Sequence, residues 1–204
     1  MPNWCGNTMT VSGDPRNLKD FLDKNMGFPA KYPPIISPNG KVLSKSDDVK
    51  EKYFCFNAFI PTPQEVLDVG FDGQAKIPKE EYDKLLHGGE TKYIDGYHWN
   101  WKNWGTKWDI YSERLSLEEI GWSEGCDSVE ICFDTAWSPP IPWFEALVKA
   151  FPSLVFTMHY EEPGVFFAGN CRGENGVFTH NECTEEECYK LFDYLFEESD
   201  IETS

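Results

Sequence analysis

Ser128-Val129-Glu130-Ile131-Cys132-Phe133-Asp134 alternates apolar and polar residues without a break. Val129, Ile131 and Phe133 therefore share one face of a strand. Downstream, Pro139-Pro140 breaks the chain, and Pro142 opens a helix carrying Trp143, Phe144, Leu147, Val148 and Phe151. Pro152 ends it, and Leu154 to Tyr160 reads as a second strand.

Working towards the N-terminus, Trp4 to Ser12 alternates loosely and holds Thr8, Thr10 and Val11, which favours a strand. Asp14-Pro15 reads as an N-cap with proline at the first helical position. Leu18, Phe21 and Leu22 then share a helical face that fades near Gly27-Phe28-Pro29. Residues 28–50 are a proline-rich surface excursion, and Tyr53 to Phe59 reads as a further strand stopped by Ile60-Pro61-Thr62-Pro63. Short helices are expected over 63–70 and 78–87, each opened by a proline.

Towards the C-terminus, Val165 to Ala168 follows a Pro163-Gly164 turn, and Gly173 to Gly176 reads as a hairpin returning through Val177-Phe178-Thr179. Thr184 and Glu187 form a capping box, opening a helix with Cys188, Leu191, Phe192, Leu195 and Phe196 on one face. With residues 60–126 removed, the order is βαββαβ, the ferredoxin-like split βαβ pattern. The expected fold is α+β: a ferredoxin-like antiparallel sheet, a long aromatic-rich helical insertion, and an extra C-terminal hairpin and acidic helix. Residues 1–204 are read as one domain. Its core is 1–59 and 127–170, its insertion 60–126 and its C-terminal extension 171–204.

At 204 residues, 40% hydrophobic and 16% aromatic, the chain can bury a core without disulfides. Its seven cysteines read as reduced thiols. Acids outnumber bases 35 to 18, for a net charge of −17, which argues against direct nucleic-acid or anionic-membrane binding. Residues 161–204 hold 12 acids against Arg172 and Lys190. No segment is apolar enough to span a membrane, and the start has no signal-peptide pattern, so a cytoplasmic location is expected.

Three segments carry a family resemblance: Met1-Pro2-Asn3-Trp4-Cys5, Asn103-Trp104-Gly105-Thr106-Lys107-Trp108-Asp109 and Phe133-Asp134-Thr135-Ala136-Trp137-Ser138-Pro139-Pro140. From residue 1 to about 170 the chain resembles an uncharacterised family of bacteriophages and conjugative plasmids that includes the YubB-like proteins. That resemblance implies a ferredoxin-like domain and a mobile-element origin, and it transfers no catalytic residues. A mobile element favours small proteins that bind a host factor or signal, acting in the bacterial cytoplasm.

Trp104, Lys107, Trp108, Asp134 and Trp137 are the candidate ligand-binding residues, since aromatic faces stack on bases and Lys107 can meet a phosphate. The competing reading makes the tryptophans the insertion's own core. The leading expectation is a non-enzymatic binding protein that modulates or inhibits a host factor, as in anti-defence. The alternative is a protein that binds or degrades a small nucleotide-type ligand in an aromatic pocket, and an acidic DNA mimic is a further alternative. The expected partner is thus a host protein or a small nucleotide-type ligand. No cofactor is expected. Gly121-Trp122-Ser123-Glu124-Gly125 matches a nucleophile elbow but lacks the strand before it. Cys171, His180, Cys183 and Cys188 offer zinc-type donors without a paired C-x2-C. The reading leans towards a protein that is not an enzyme.

Overall fold

The computed structural model describes residues 3–36, 42–44, 49–73, 76–110 and 115–192. Its elements run β1 (Trp4–Ser12), α1 (Pro15–Asn25), β2 (Met26–Gly27), β3 (Ile35–Ile36), β4 (Val42–Ser44), β5 (Tyr53–Phe54), α2 (Phe56–Phe59), α3 (Gln64–Val69), α4 (Lys79–Leu86), α5 (Gly96–Asn103), β6 (Ser128–Ala136), α6 (Ile141–Ala150), β7 (Val155–Glu162), β8 (Phe167–Glu174), β9 (Val177–Glu182) and α7 (Glu185–Leu191). Five strands form one antiparallel sheet in the order β6-β1-β7-β8-β9. The crossover β6-α6-β7 flanks β1, which pairs with both, and this is the split βαβ of a ferredoxin-like domain.

Local chemistry explains most of the elements. Asp14 accepts a hydrogen bond from Arg16 N at 2.9 Å and Pro15 occupies the first turn, so α1 starts there. Asn175 and Gly176 both have positive φ, 53° and 75°, which matches a two-residue turn to the twist of β8 and β9. The Thr184–Glu187 capping box forms as expected. Leu195 and Phe196 lie outside the described residues.

The second core strand read over Tyr53 to Phe59 does not form. Only Tyr53–Phe54 is extended, paired with Met26–Gly27 in a separate two-stranded sheet, and Phe56–Phe59 is helical. The cause is Asp109, far away in sequence. Its carboxylate accepts from Phe56 N at 2.7 Å and from Asn57 N at 3.2 Å, taking the donors a ladder needs and capping a helical turn instead. The β8–β9 hairpin widens the sheet on the opposite side from the missing strand. β8 also runs across the 170/171 division drawn from the sequence.

One sheet face is buried. Val129, Ile131 and Phe133 meet Met9, Val11, Phe156 and Met158 there, and α1 and α6 cover them. Phe56 packs on Trp143 with ring centroids 4.7 Å apart, and Phe21 meets Phe156 edge-on at 5.6 Å. Trp99, Trp104, Ile110 and Leu115 of the insertion join this same cluster. The other face is polar and open, crossed by the row Cys132–Thr8–His159–Asn170–Asn181. α7 lies at one end of it, packing Cys188 and Phe192 against Ala168. Among the described residues, no helix is long and apolar enough to cross a membrane.

Candidate functional site

The three motif segments quoted from the sequence meet in space. Trp137 N donates to Asn3 O at 3.0 Å. Thr106 Oγ1 donates to Ala136 O at 2.9 Å, and Ser138 Oγ donates to Gly105 O at 2.6 Å. Gly105, at φ 84°, has Pro142 so close that a Cβ would sit 2.3 Å from its Cδ, so only glycine lets this loop reach the start of α6.

Beneath lies a buried polar network. Asn7 Nδ2 donates to Cys5 O, Phe133 O and Thr135 Oγ1, and Thr135 Oγ1 donates to Ser138 O at 2.8 Å. Asn7 and Thr135 are both buried. The network fixes the corner after β6, where Trp137 adopts φ 76° while 42% exposed. A positive φ at tryptophan costs on the order of 1–3 kcal/mol and persists only where the surroundings over-determine it.

Trp137 overhangs a cleft of ≈ 440 Å³ walled by Trp101, Tyr160, Phe167, His180 and Glu182. Tyr160 and His180 come from two strands separated by β8. Gly169 lies between them, and a Cβ there would fall 2.2 Å from the tyrosine oxygen. Its absence lets the phenol cross β8 and share a 2.7 Å hydrogen bond with His180 Nε2. Burial pushes the Tyr160 hydroxyl far above its ordinary range, so it stays protonated.

The five sequence candidates separate. Trp137 is on the cleft. Trp104 is 1% exposed, packed between Phe56 and Trp99 with its indole N–H given to Ile60 O, so it belongs to the core and has no face open to a ligand. Lys107 Nζ sits 4.7 Å over Trp108 and 5.9 Å over Tyr97, and Trp108 leans on Trp4 at 6.1 Å. Asp134 lies on the open sheet face beside Gly6, in a second depression shared with His159 and Glu161, and burial raises its pKa.

Trp101, Tyr160, Phe167 and Glu182 were not singled out from the sequence. The alternation of β7 and the glycine opposite Tyr160 were the available signals, and both need the strand register to be read. The Gly121–Gly125 segment lies in turns after coil and turn, and a strand follows it, so the strand–turn–helix of an elbow is not formed. Cys171 and His180 face each other across β8 and β9, but His180 is bonded to Tyr160, and burial pushes the Cys171 thiol up to about 12. Among the described residues no three His, Cys, Asp or Glu side chains cluster as a metal site. The same burial holds the Cys5 thiol up at about 12.

Fold and sequence together define a protein with a ferredoxin-like domain: residues 107–203 match the family described as the ferredoxin-like domain in Api92-like protein. Among solved structures, the protein Api92 from Yersinia pseudotuberculosis is similar at 12% identity, over 90% of this chain and 99% of that one, with a TM-score of 0.41. No curated protein matches this chain.

Proposed function

We propose that the chain is a non-enzymatic binding protein that captures a small ligand in the Trp137 cleft. It acts in the cytoplasm of a bacterial host, where it modulates a host factor or signal on behalf of a phage or plasmid. The observation that carries the reading is Trp137 itself, held at φ 76° and 42% exposed at the rim of a concave aromatic cleft. Hydrophobic burial drives tryptophan inward, and a strained, half-exposed one needs another reason to be kept.

A cleft of this size with aromatic walls and few polar groups suits one small ligand. Its ionisable groups favour binding over turnover, since Tyr160 and His180 are engaged with each other and the nearby Cys171 thiol is held protonated. The mobile-element origin rests on the resemblance of the three motif segments to the family that includes the YubB-like proteins. Native mass spectrometry on protein drawn gently from a bacterial host tests the reading. A bound mass of a few hundred daltons, lost in Trp137→Gly, is expected. A bare chain, or a mass that the variant retains, overturns it.

A further inference from the structure

We infer that the cleft takes an organic cation, an alkylammonium or guanidinium group, rather than a phosphate-bearing ligand. The inference rests on the cleft being the binding site and adds the charge of what enters it. The walls are the first reason. Trp101, Trp137, Tyr160 and Phe167 present aromatic surface, and a ring face carries negative charge density that attracts a cation.

The charge balance is the second reason. Among the described residues that line the cleft none is Lys or Arg, and Glu182 is the one acid. Glu182 is two positions from His180 on β9, so its side chain leaves the strand on the same side as the cleft wall. Three residues further on, Glu185, Glu186 and Glu187 fill the first turn of α7. They add to the field of a chain with net charge −17.

A phosphate entering here meets Glu182, with no Lys or Arg among the described lining residues to receive it. Lys107, which the sequence offered for that role, is not among the residues of the cleft and lies over Trp108 and Tyr97. An ammonium or guanidinium meets the opposite situation: aromatic faces for its apolar surface and a carboxylate for its charge. The group arrives either on a free amine or on a lysine or arginine side chain of a partner protein.

The test is calorimetric titration of the full chain with agmatine, with choline, with the capped peptide acetyl-Gly-Arg-Gly-amide, and with AMP. The expected result is binding of at least one cation and none of AMP. Affinity should fall about tenfold in Glu182→Gln and be lost in Trp137→Gly. Glycine tolerates the positive φ, so this variant removes the ring without adding strain, and an unchanged melting temperature checks that it folds. Tighter binding of agmatine or choline than of the peptide assigns a free amine, and the reverse order assigns a partner's side chain. AMP binding that Trp137→Gly abolishes and Glu182→Gln strengthens overturns the inference and leaves the cleft as a binding site. No cation binding up to about 10 mM overturns the inference as well. A host-derived mass that persists in Trp137→Gly removes the cleft reading itself.

Discussion

Two residues do work at a distance that their own neighbourhood in sequence does not announce. Gly169 gives Tyr160 room to cross β8, so Gly169→Ala pushes a methyl into the phenol and into Asn181 O, 2.6 Å away. It should cost about 1–3 kcal/mol in urea unfolding and break the Tyr160–His180 hydrogen bond, which the His180 ring resonances in NMR would report. Asp109 is the other. Burial lifts its pKa from 3.8 to about 6 even though three backbone N–H groups, of Phe56, Asn57 and Ile110, favour the charged form. The folded state therefore holds this proton more tightly than the unfolded chain. The contribution of Asp109 to stability is complete below about pH 4 and is lost as the pH rises through about 6. In Asp109→Asn the urea midpoint should fall less between pH 4 and 7 than in the parent. Equal slopes in the two proteins would refute this assignment.

At the scale of the element, the corner that follows β6 matters most. Its conformation is set by Asn7 of β1 and Thr135 of β6, not by Trp137. Thr135→Val keeps the shape and removes both the acceptor for Asn7 and the donor to Ser138 O. Asn7 keeps Cys5 O and Phe133 O as acceptors, so losing the hydrogen bond to Ser138 O and one contact to Asn7 should cost about 1 kcal/mol in a denaturant melt. The corner would relax, so ligand capture should weaken although no cleft side chain has changed. α7 is a milder case. Thr184→Ala removes the hydroxyl that caps Glu187 N and should cost about 1 kcal/mol, read as a lower melting temperature.

For the whole molecule, periodicity made the sheet legible wherever a strand has one buried and one open face. Ser128–Ala136, Trp4–Ser12 and Val155–Glu162 stand close to where their alternation placed them. Tyr53 to Phe59 misled because its run is apolar but for Asn57, and so apolar a run does not say whether a sheet or a helix buries it. The decision belonged to Asp109, more than fifty positions away. The aromatic segment around residue 100 was legible as important and illegible in detail. Its spacing cannot say that Trp104 turns into the core while Trp101 reaches the cleft. The motif segments were legible as a set, and their interlocking through Asn3, Gly105, Thr106 and Ser138 is the physical content behind them.

The position of β1 carries a kinetic consequence. It lies inside the sheet, yet both of its neighbours come from the far half of the chain, with Ser12 opposite Ser128 on one side and Val155 on the other. Closing so long a loop must precede any gain from the pairing, and such topologies fold slowly. Refolding followed by tryptophan fluorescence should take milliseconds to seconds, not microseconds. During synthesis the strand emerges before either of its partners and stays without its ladder until β6 and β7 have followed. For that interval a segment built to sit between two others is exposed to whatever the cell puts beside it, and the chaperones that shield nascent chains are the natural escort.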